Sequence, residues 1–326
     1  MRLSLACWDY DRTQAIADGR VTIEGVKLQY LTLRVEETFF RMVTYREFDV
    51  AEMSLSTYVM SKFADDPFIA IPVFPSRVFR HSSIFINERS GIREPKDLIG
   101  KRIGVPEYQI TAAVWIRGML ADEYAVPVES VEYLTGGGED AGRSEKPGLD
   151  LPAGIHVRPI PPDKTLAQML AAGEIDALYT AAAPSSFVNA SPGVRRLWPD
   201  YVPVEQAYFA KTGIFPIMHT VVLRRDLYER HRWLAMELYK AFARAKSLAY
   251  SDLYRTTALK TMRPWGVAEA EAVRTLMGED FWAYGADANR PTLETFLRYH
   301  NEQGLSKSLI APDDLFAPET LQAFKI

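Results

Sequence analysis

The chain has 326 residues, enough for two compact lobes with separate cores, and its 48% apolar and 25% charged residues are those of an ordinary soluble globular protein. A net charge of −4 gives no reason to expect nucleic acid or an anionic membrane as partner. Cys7 is the sole cysteine, which excludes an intrachain disulfide framework and a thiolate metal cluster.

Residues Met1–Trp8 are too short an apolar stretch for a signal-peptide core and lack a small-residue cleavage site. No run approaches the roughly 18 apolar residues that a membrane helix needs. The expectation is a cytoplasmic protein with no membrane partner.

Leu3–Trp8 reads as a strand, Asp9–Arg12 as a charged loop and Thr13–Asp18 as a short helix stopped by Gly19. Strands are expected over Val21–Gly25 and Lys27–Leu33, and a helix over Val35–Val43. Phe48–Met53 reads as a buried strand, followed by Ser54 or Ser56 as N-cap of a helix carrying Tyr58, Val59 and Phe63. Phe68–Phe74 and Ser83–Asn87 are further strands. Pro95–Gly100 is a turn of helix, Arg102–Val105 a strand, and Thr111 the cap of a helix running to about Tyr124.

Val131–Leu134, His156–Pro159 and Ile175–Thr180 read as strands, with a helix over Thr165–Ala172. Between them Gly136–Gly154 carries three consecutive glycines and two prolines, the marks of a long surface loop. Gly193–Pro199 reads as an irregular connector and Gln206–Phe209 as a strand. After Arg225 the pattern turns helical, over Arg232–Ala249, Glu269–Met277 and Thr292–Gln303; Leu234, Leu238, Phe242 and Ala245 recur at helical spacing.

Strands alternating with helices predict an α/β fold with mainly parallel sheets. The division expected is lobe one over residues 1–98 and 220–326 and lobe two over 99–219. In such sheets ligands collect outside the carboxyl ends of strands, here expected in a cleft between lobes. The loops at those ends are Asp9–Arg12, Glu52–Ser56, Arg77–His81, Glu107–Thr111, Tyr179–Ser186 and Thr212–His219.

Two of these loops end in histidine. In Lys211–His219, Gly213 frees φ while Pro216 fixes it and removes a donor, so His219 falls between an irregular turn and the β-branched run after it. Arg77–His81 leads into Ser83–Asn87 in the same way. Both are either proton carriers or ordinary boundary residues.

The segments Phe48–Ser56, Phe79–Asn87, Val105–Gly118 and Thr212–His219 resemble the 4,5-dihydroxyphthalate decarboxylases, a branch of the type II periplasmic-binding-protein superfamily. Trp115-Ile-Arg117 and Phe215-Pro-Ile-Met-His219 are its specific parts; Gly173-Glu-Ile-Asp-Ala177 is shared by many binding proteins. The resemblance implies a two-lobed fold and non-oxidative loss of CO2 from 4,5-dihydroxyphthalate, giving protocatechuate.

That reaction needs a base for the phenol, an acid for the ring carbon and a cationic grip on the spectator carboxylate. It requires no redox cofactor, and a small aromatic carboxylate is the partner it implies. His81 and His219 suit the proton steps, since free imidazole titrates near pH ~6.5. Arg77, Arg80 and Arg117 are carboxylate clamps by type, Arg117 equally an internal salt bridge. Thr111 places a carboxylate at a helix N-terminus or simply caps it. Glu107 is an acid if buried and otherwise a solvated loop residue. Trp115 and Phe215, with Phe79, wall the ring or belong to the core; Ser54, Tyr179 and Thr212 are hydroxyls in the right loops.

His81, His219, Glu107 and Glu205 are the side chains from which an N/O metal site would be drawn, but no HxH, HxxxH or HExxH spacing exists and no metal is expected. Gly136–Gly138 lacks the GxxxxGK[ST] and GxGxxG patterns of a nucleotide site. The competing reading is a cytosolic binding protein or sensor for an aromatic acid or a thiamine-pyrimidine-like ligand, without catalysis; a homo-oligomer stays open in both.

Overall fold

The computed structural model describes residues 1–142 and 151–321, so residues 143–150 of the expected surface loop lie outside the described residues. In chain order the strands are β1 (Arg2–Cys7), β2 (Lys27–Thr32), β3 (Val50–Ser54), β4 (Phe68–Arg77), β5 (Ile84–Asn87) and β6 (Arg102–Val105). They continue with β7 (Glu132–Thr135), β8 (His156–Pro159), β9 (Ala177–Tyr179), β10 (Val194–Arg196) and β11 (Ile217–Arg224). Among the described residues no helix is long and apolar enough to cross a membrane.

The chain forms two units. One holds Met1–Arg77, Ile217–Glu294 and the segment from Ile310; the other holds Val78–Pro216 and Thr295–Leu309. The division thus falls at Arg77–Val78 and Pro216–Ile217 and not at residues 98 and 219. The reason is strand pairing: β5 bonds to β9 and β10, while β11 bonds to β3 and β4 with His219 inside the ladder.

In the first unit the sheet order is β2-β1-β3-β11-β4, with β1 parallel to β2 and β3 and β11 antiparallel to β3 and β4. β11 is therefore the returning strand, and the carboxyl ends of β1, β3 and β4 share an edge with its beginning. The inner strands are apolar nearly throughout, as strands covered on both faces must be: Leu5, Val50, Met53, Ile71, Phe74, Val221 and Val222 are all inaccessible to solvent. The helix Trp233–Leu253 buries Leu234, Leu238, Phe242 and Ala245, the stripe its periodicity predicts.

The second unit's sheet runs β10-β5-β9-β6-β7-β8, with β5 antiparallel to both neighbours and the β9-β6-β7-β8 pairs parallel. Phe85, Leu134, Leu166, Leu170, Ile175 and Leu178 form a core between sheet and helix. The helix Leu166–Ala172 starts in a capping box, Thr165 accepting from the Gln168 amide and Gln168 answering to Thr165.

Three expected elements differ. Val21–Gly25 is not a strand: Val21 and Ile23 do alternate into the core, but no strand among the described residues pairs with them. Gln206–Phe209 lies within a helix, Val202–Thr212, whose Pro203 suits a first turn that lacks hydrogen-bond partners for its amides. Val194–Arg196, expected as irregular, adds an antiparallel edge strand to β5.

Gly118, inside the helix Thr111–Tyr124, has a packing cause. The Tyr299 hydroxyl donates to Asp122 at 2.7 Å, which lays its ring across the helix one turn earlier, where a Cβ on residue 118 would fall inside it. Gly118→Ala raises helix propensity by ~1 kcal/mol, but the ring must move, and overpacking costs about 1–3 kcal/mol. A lower thermal midpoint is expected for the variant; an unchanged or higher one would refute this packing account.

Candidate active site

The carboxyl edge of the first unit's sheet holds a buried carboxylate. Glu52 sits on β3, opposite Val221 in the register with β11, while His219 lies opposite Ser54. Residues two apart on a strand face the same side, so Glu52 and His219 are diagonal neighbours within reach of each other. His219 Nδ1 lies 2.6 Å from Glu52 Oε1.

Three further donors converge on the carboxylate from the end of β1. Tyr10 donates its hydroxyl to the same Oε1 at 2.7 Å; the Trp8 amide and the Cys7 thiol donate to Oε2 at 3.0 and 3.4 Å. Phe39 meets the His219 ring edge-on with centroids 4.9 Å apart. Glu52 is fully inaccessible, whereas the His219 side chain keeps 15% of its exposure.

Burial alone would push the Glu52 carboxyl up. The hydrogen bond and charge of His219, with the bonds from Trp8 and Tyr10, outweigh it and hold the group below the ordinary carboxylate range. Burial, reinforced by the carboxylate, pushes the Cys7 thiol and the Tyr10 phenol up, so both stay protonated donors. A fixed anion on Nδ1 selects the Nδ1–H tautomer and leaves Nε2 as the basic nitrogen. Such an arrangement can serve as an oriented general base.

Also in the first unit, Arg77 is buried; one guanidinium nitrogen donates to Asn289, and burial lowers the group to about 9. Ser54 caps the helix Leu55–Ser61 by accepting from the Thr57 amide at 3.4 Å. His219, expected ahead of its strand, is inside it, because β11 begins directly after Pro216.

His81 belongs to the second unit, in a turn before β5, and is inaccessible to solvent. Tyr124, Trp198 and Tyr208 surround its ring at centroid distances of 5.9, 5.1 and 5.2 Å, and neither ring nitrogen has a hydrogen-bond partner among the described residues. Burial pushes the imidazole down to about 4, so it is neutral near pH 7. An unfolded histidine takes up its proton near pH ~6.5; the native one resists until about 4. Stability is therefore complete above pH ~6.5 and is lost as pH falls towards 4, by up to about 3 kcal/mol. Denaturant midpoints measured across this window should fall with pH, and His81→Phe should flatten that slope.

Arg80 is buried and donates to Ser83 Oγ and the Ala181 carbonyl, both at 3.3 Å; burial lowers it to about 10 against the opposing charge of Glu205. Glu107, expected in solvent unless functional, is buried and accepts from Gln109 Nε2 at 2.9 Å. Phe215 stacks on Phe79 at 4.7 Å. Thr212 closes its helix by donating to the Tyr208 carbonyl at 2.8 Å.

Other expected site residues serve the interior of this unit. Arg117 donates to Gln303 Oε1 and the Tyr108 carbonyl, each at 2.7 Å, with its guanidinium 3.8 Å from the Tyr108 ring centroid. Its hydrogen-bond partners are neutral, so the internal salt bridge, one of its two readings, is not formed among the described residues. Trp115 is sealed against Phe296 and Tyr299, and Tyr179 is buried in β9. Thr111 is the first helical residue and Ile110 stands at the N-cap, so the capping role expected of Thr111 is not realised. Among the described residues no three His, Cys, Asp or Glu side chains gather as a metal-binding group.

Sequence reasoning did not single out Glu52 or Tyr10. The available signal was a lone carboxylate in the otherwise apolar run Val50-Ala-Glu-Met53 of a central strand, a setting where a charge survives only with partners.

No family model matches the chain. It is 41% identical over 327 residues to a 4,5-dihydroxyphthalate decarboxylase of Comamonas testosteroni, covering 100% of this chain and 99% of that one. To a 4,5-dihydroxyphthalate decarboxylase of Pseudomonas putida it is 44% identical over 201 residues, 61% of this chain and 78% of the relative. Among solved structures it is similar to the sulfonate-binding protein SsuA of Methylobacillus flagellatus, with TM-score 0.57, 12% identity and coverage of 98% and 92%. The SsuA of Escherichia coli gives 0.56, 12%, 98% and 98%. The fold is thus the two-lobed α/β fold of the periplasmic binding proteins.

Proposed function

The chain belongs to the 4,5-dihydroxyphthalate decarboxylase family, a family of carboxy-lyases, and from that premise we propose that it converts 4,5-dihydroxyphthalate to protocatechuate and CO2 with His219 as the base for a phenolic hydroxyl. Each carboxylate of that substrate lies para to a hydroxyl. Removing the phenolic proton pushes electron density onto the carbon bearing the carboxylate. A proton adds to that carbon, the carbon–carboxylate bond breaks with its electron pair returning to the ring, and CO2 leaves. The phenolic proton then returns to the oxygen, so one proton is consumed for each CO2 released.

The Glu52–His219 pair is the observation that supports this reading: an ionised, solvent-inaccessible carboxylate holds the imidazole Nδ1–H. Such an orienting anion fixes the ring and its tautomer for proton abstraction at Nε2. His81, neutral and enclosed by aromatic rings, does not offer the imidazolium that a two-histidine scheme asks of the acid.

Purified protein given 4,5-dihydroxyphthalate should release CO2 and protocatechuate in equal amounts. Saturable binding without turnover would overturn the enzymatic reading and leave a binding protein or sensor.

A further inference from the structure

We propose that Arg12 is the residue that grips the spectator carboxylate of the aromatic ligand at the Glu52–His219 site, an inference that rests on the decarboxylation reading for the identity of that ligand. Arg12 follows β1 by five residues and lies in the first turn of the helix Asp11–Ala17, whose N-cap is Tyr10, the residue whose hydroxyl is bonded to Glu52. Its guanidinium lies against two rings, with Cζ 4.2 Å from the Tyr10 centroid and 4.1 Å from that of Trp282. Trp282 is itself held, its indole N–H donating to the Phe74 carbonyl at 2.9 Å. Contact with two rings, together with Nε donating to the Pro75 carbonyl at 2.7 Å, restrains the fork.

The fork is oriented but not consumed. Nη1 meets Asp11 at 3.0 Å, a pairing that water screens because the Asp11 side chain is 54% exposed. Nη2 has no hydrogen-bond partner among the described residues, and the Arg12 side chain retains 16% exposure. A planar donor of this kind fits a carboxylate lying in the same plane. Tyr10 touches both the Arg12 guanidinium and Glu52, so a single side chain links the cation to the carboxylate that holds His219. Arg77, by contrast, is buried and held by Asn289.

Calorimetric titration with phthalate and with catechol tests this without turnover, since phthalate has no hydroxyl to ionise and catechol no carboxylate. Arg12→Gln should weaken phthalate binding about 10–100-fold, the worth of a charged hydrogen bond, and leave catechol binding unchanged. Arg12→Lys keeps the charge but loses the fork, and should show the same selective loss to a smaller degree; it carries the comparison if the Gln variant does not fold. Phthalate affinity unchanged in both variants, an equal loss for both ligands, or no phthalate binding by the wild type overturns the assignment. The two proposals fail separately. Arg12-dependent phthalate binding with no CO2 released removes the decarboxylase reading alone. CO2 release by Arg12→Gln at the wild-type KM for 4,5-dihydroxyphthalate removes the carboxylate grip alone.

Discussion

Replacing His219 with Asn should lower kcat for 4,5-dihydroxyphthalate by roughly 10²–10⁴-fold, the usual worth of a positioned proton carrier, with KM much less affected. Asn is polar and fits β11, where His219 pairs with Ser54 on one side and Ser76 on the other. The ladder therefore stands, and what disappears is a group able to take a proton. A second sign is separable from the first. The limb of the kcat–pH profile that rises as the base deprotonates should vanish in the variant, while a merely structural histidine would leave its shape alone. Near-normal kcat in His219→Asn would end the assignment and make Glu107 the next residue to replace.

How far the sequence alone leads depends on whether a signal is local. Periodicity found the helix Trp233–Leu253, because its apolar stripe is written along one element. The β-branched run after Pro216 found β11. Gln206–Phe209 failed for the opposite reason: a short apolar run has no length to separate strand from helix, and Pro203 several residues upstream decided the matter. Val21 and Ile23 show a strand pattern left without a partner among the described residues, which only the fold can reveal.

The site followed the same rule. His219 and the loop ends were legible because turn residues and a strand signal flank them. Glu52 was not, since its meaning lies in a register that brings residues 167 positions apart into a diagonal pair. Arg117 shows the converse. Its residue type suggested a carboxylate clamp, yet Gln303 and the Tyr108 carbonyl hold its Nε and Nη2 while the guanidinium lies over the Tyr108 ring. Arg12 looked like one charge in a charged loop until two aromatic rings, one of them 270 positions away in sequence (Trp282), met its guanidinium.

Replacing Glu52 with Gln should cost almost as much activity as losing the histidine, although the shape hardly changes. All four neighbours point a hydrogen at the carboxylate: the Cys7 thiol and Trp8 amide at Oε2, and the Tyr10 hydroxyl and His219 Nδ1 at Oε1. An anion accepts from all of them, whereas an amide has one accepting oxygen and two hydrogens of its own. The Trp8 backbone amide cannot reverse, so the Gln oxygen must face it and the NH2 must face Tyr10 and His219. Tyr10 can turn its hydroxyl round. His219 can answer only by moving its proton to Nε2, which blocks the nitrogen proposed to take the phenolic proton. Turning a catalytic histidine to the wrong tautomer in this way costs up to about 10⁴-fold in kcat. Nitrogen-15 NMR of the imidazole should report Nδ1–H in the wild type and Nε2–H in Glu52→Gln. Stability carries its own sign. The folded Glu52 is held below its ordinary range, so its contribution is present above the unfolded value near pH ~4.3 and is lost as pH falls through the lower folded one. The stability gap between wild type and Glu52→Gln should therefore be constant near neutrality and shrink below about pH 4. Full kcat in Glu52→Gln would show that the carboxylate does not set the tautomer, and the oriented-base account of His219 would fall with it.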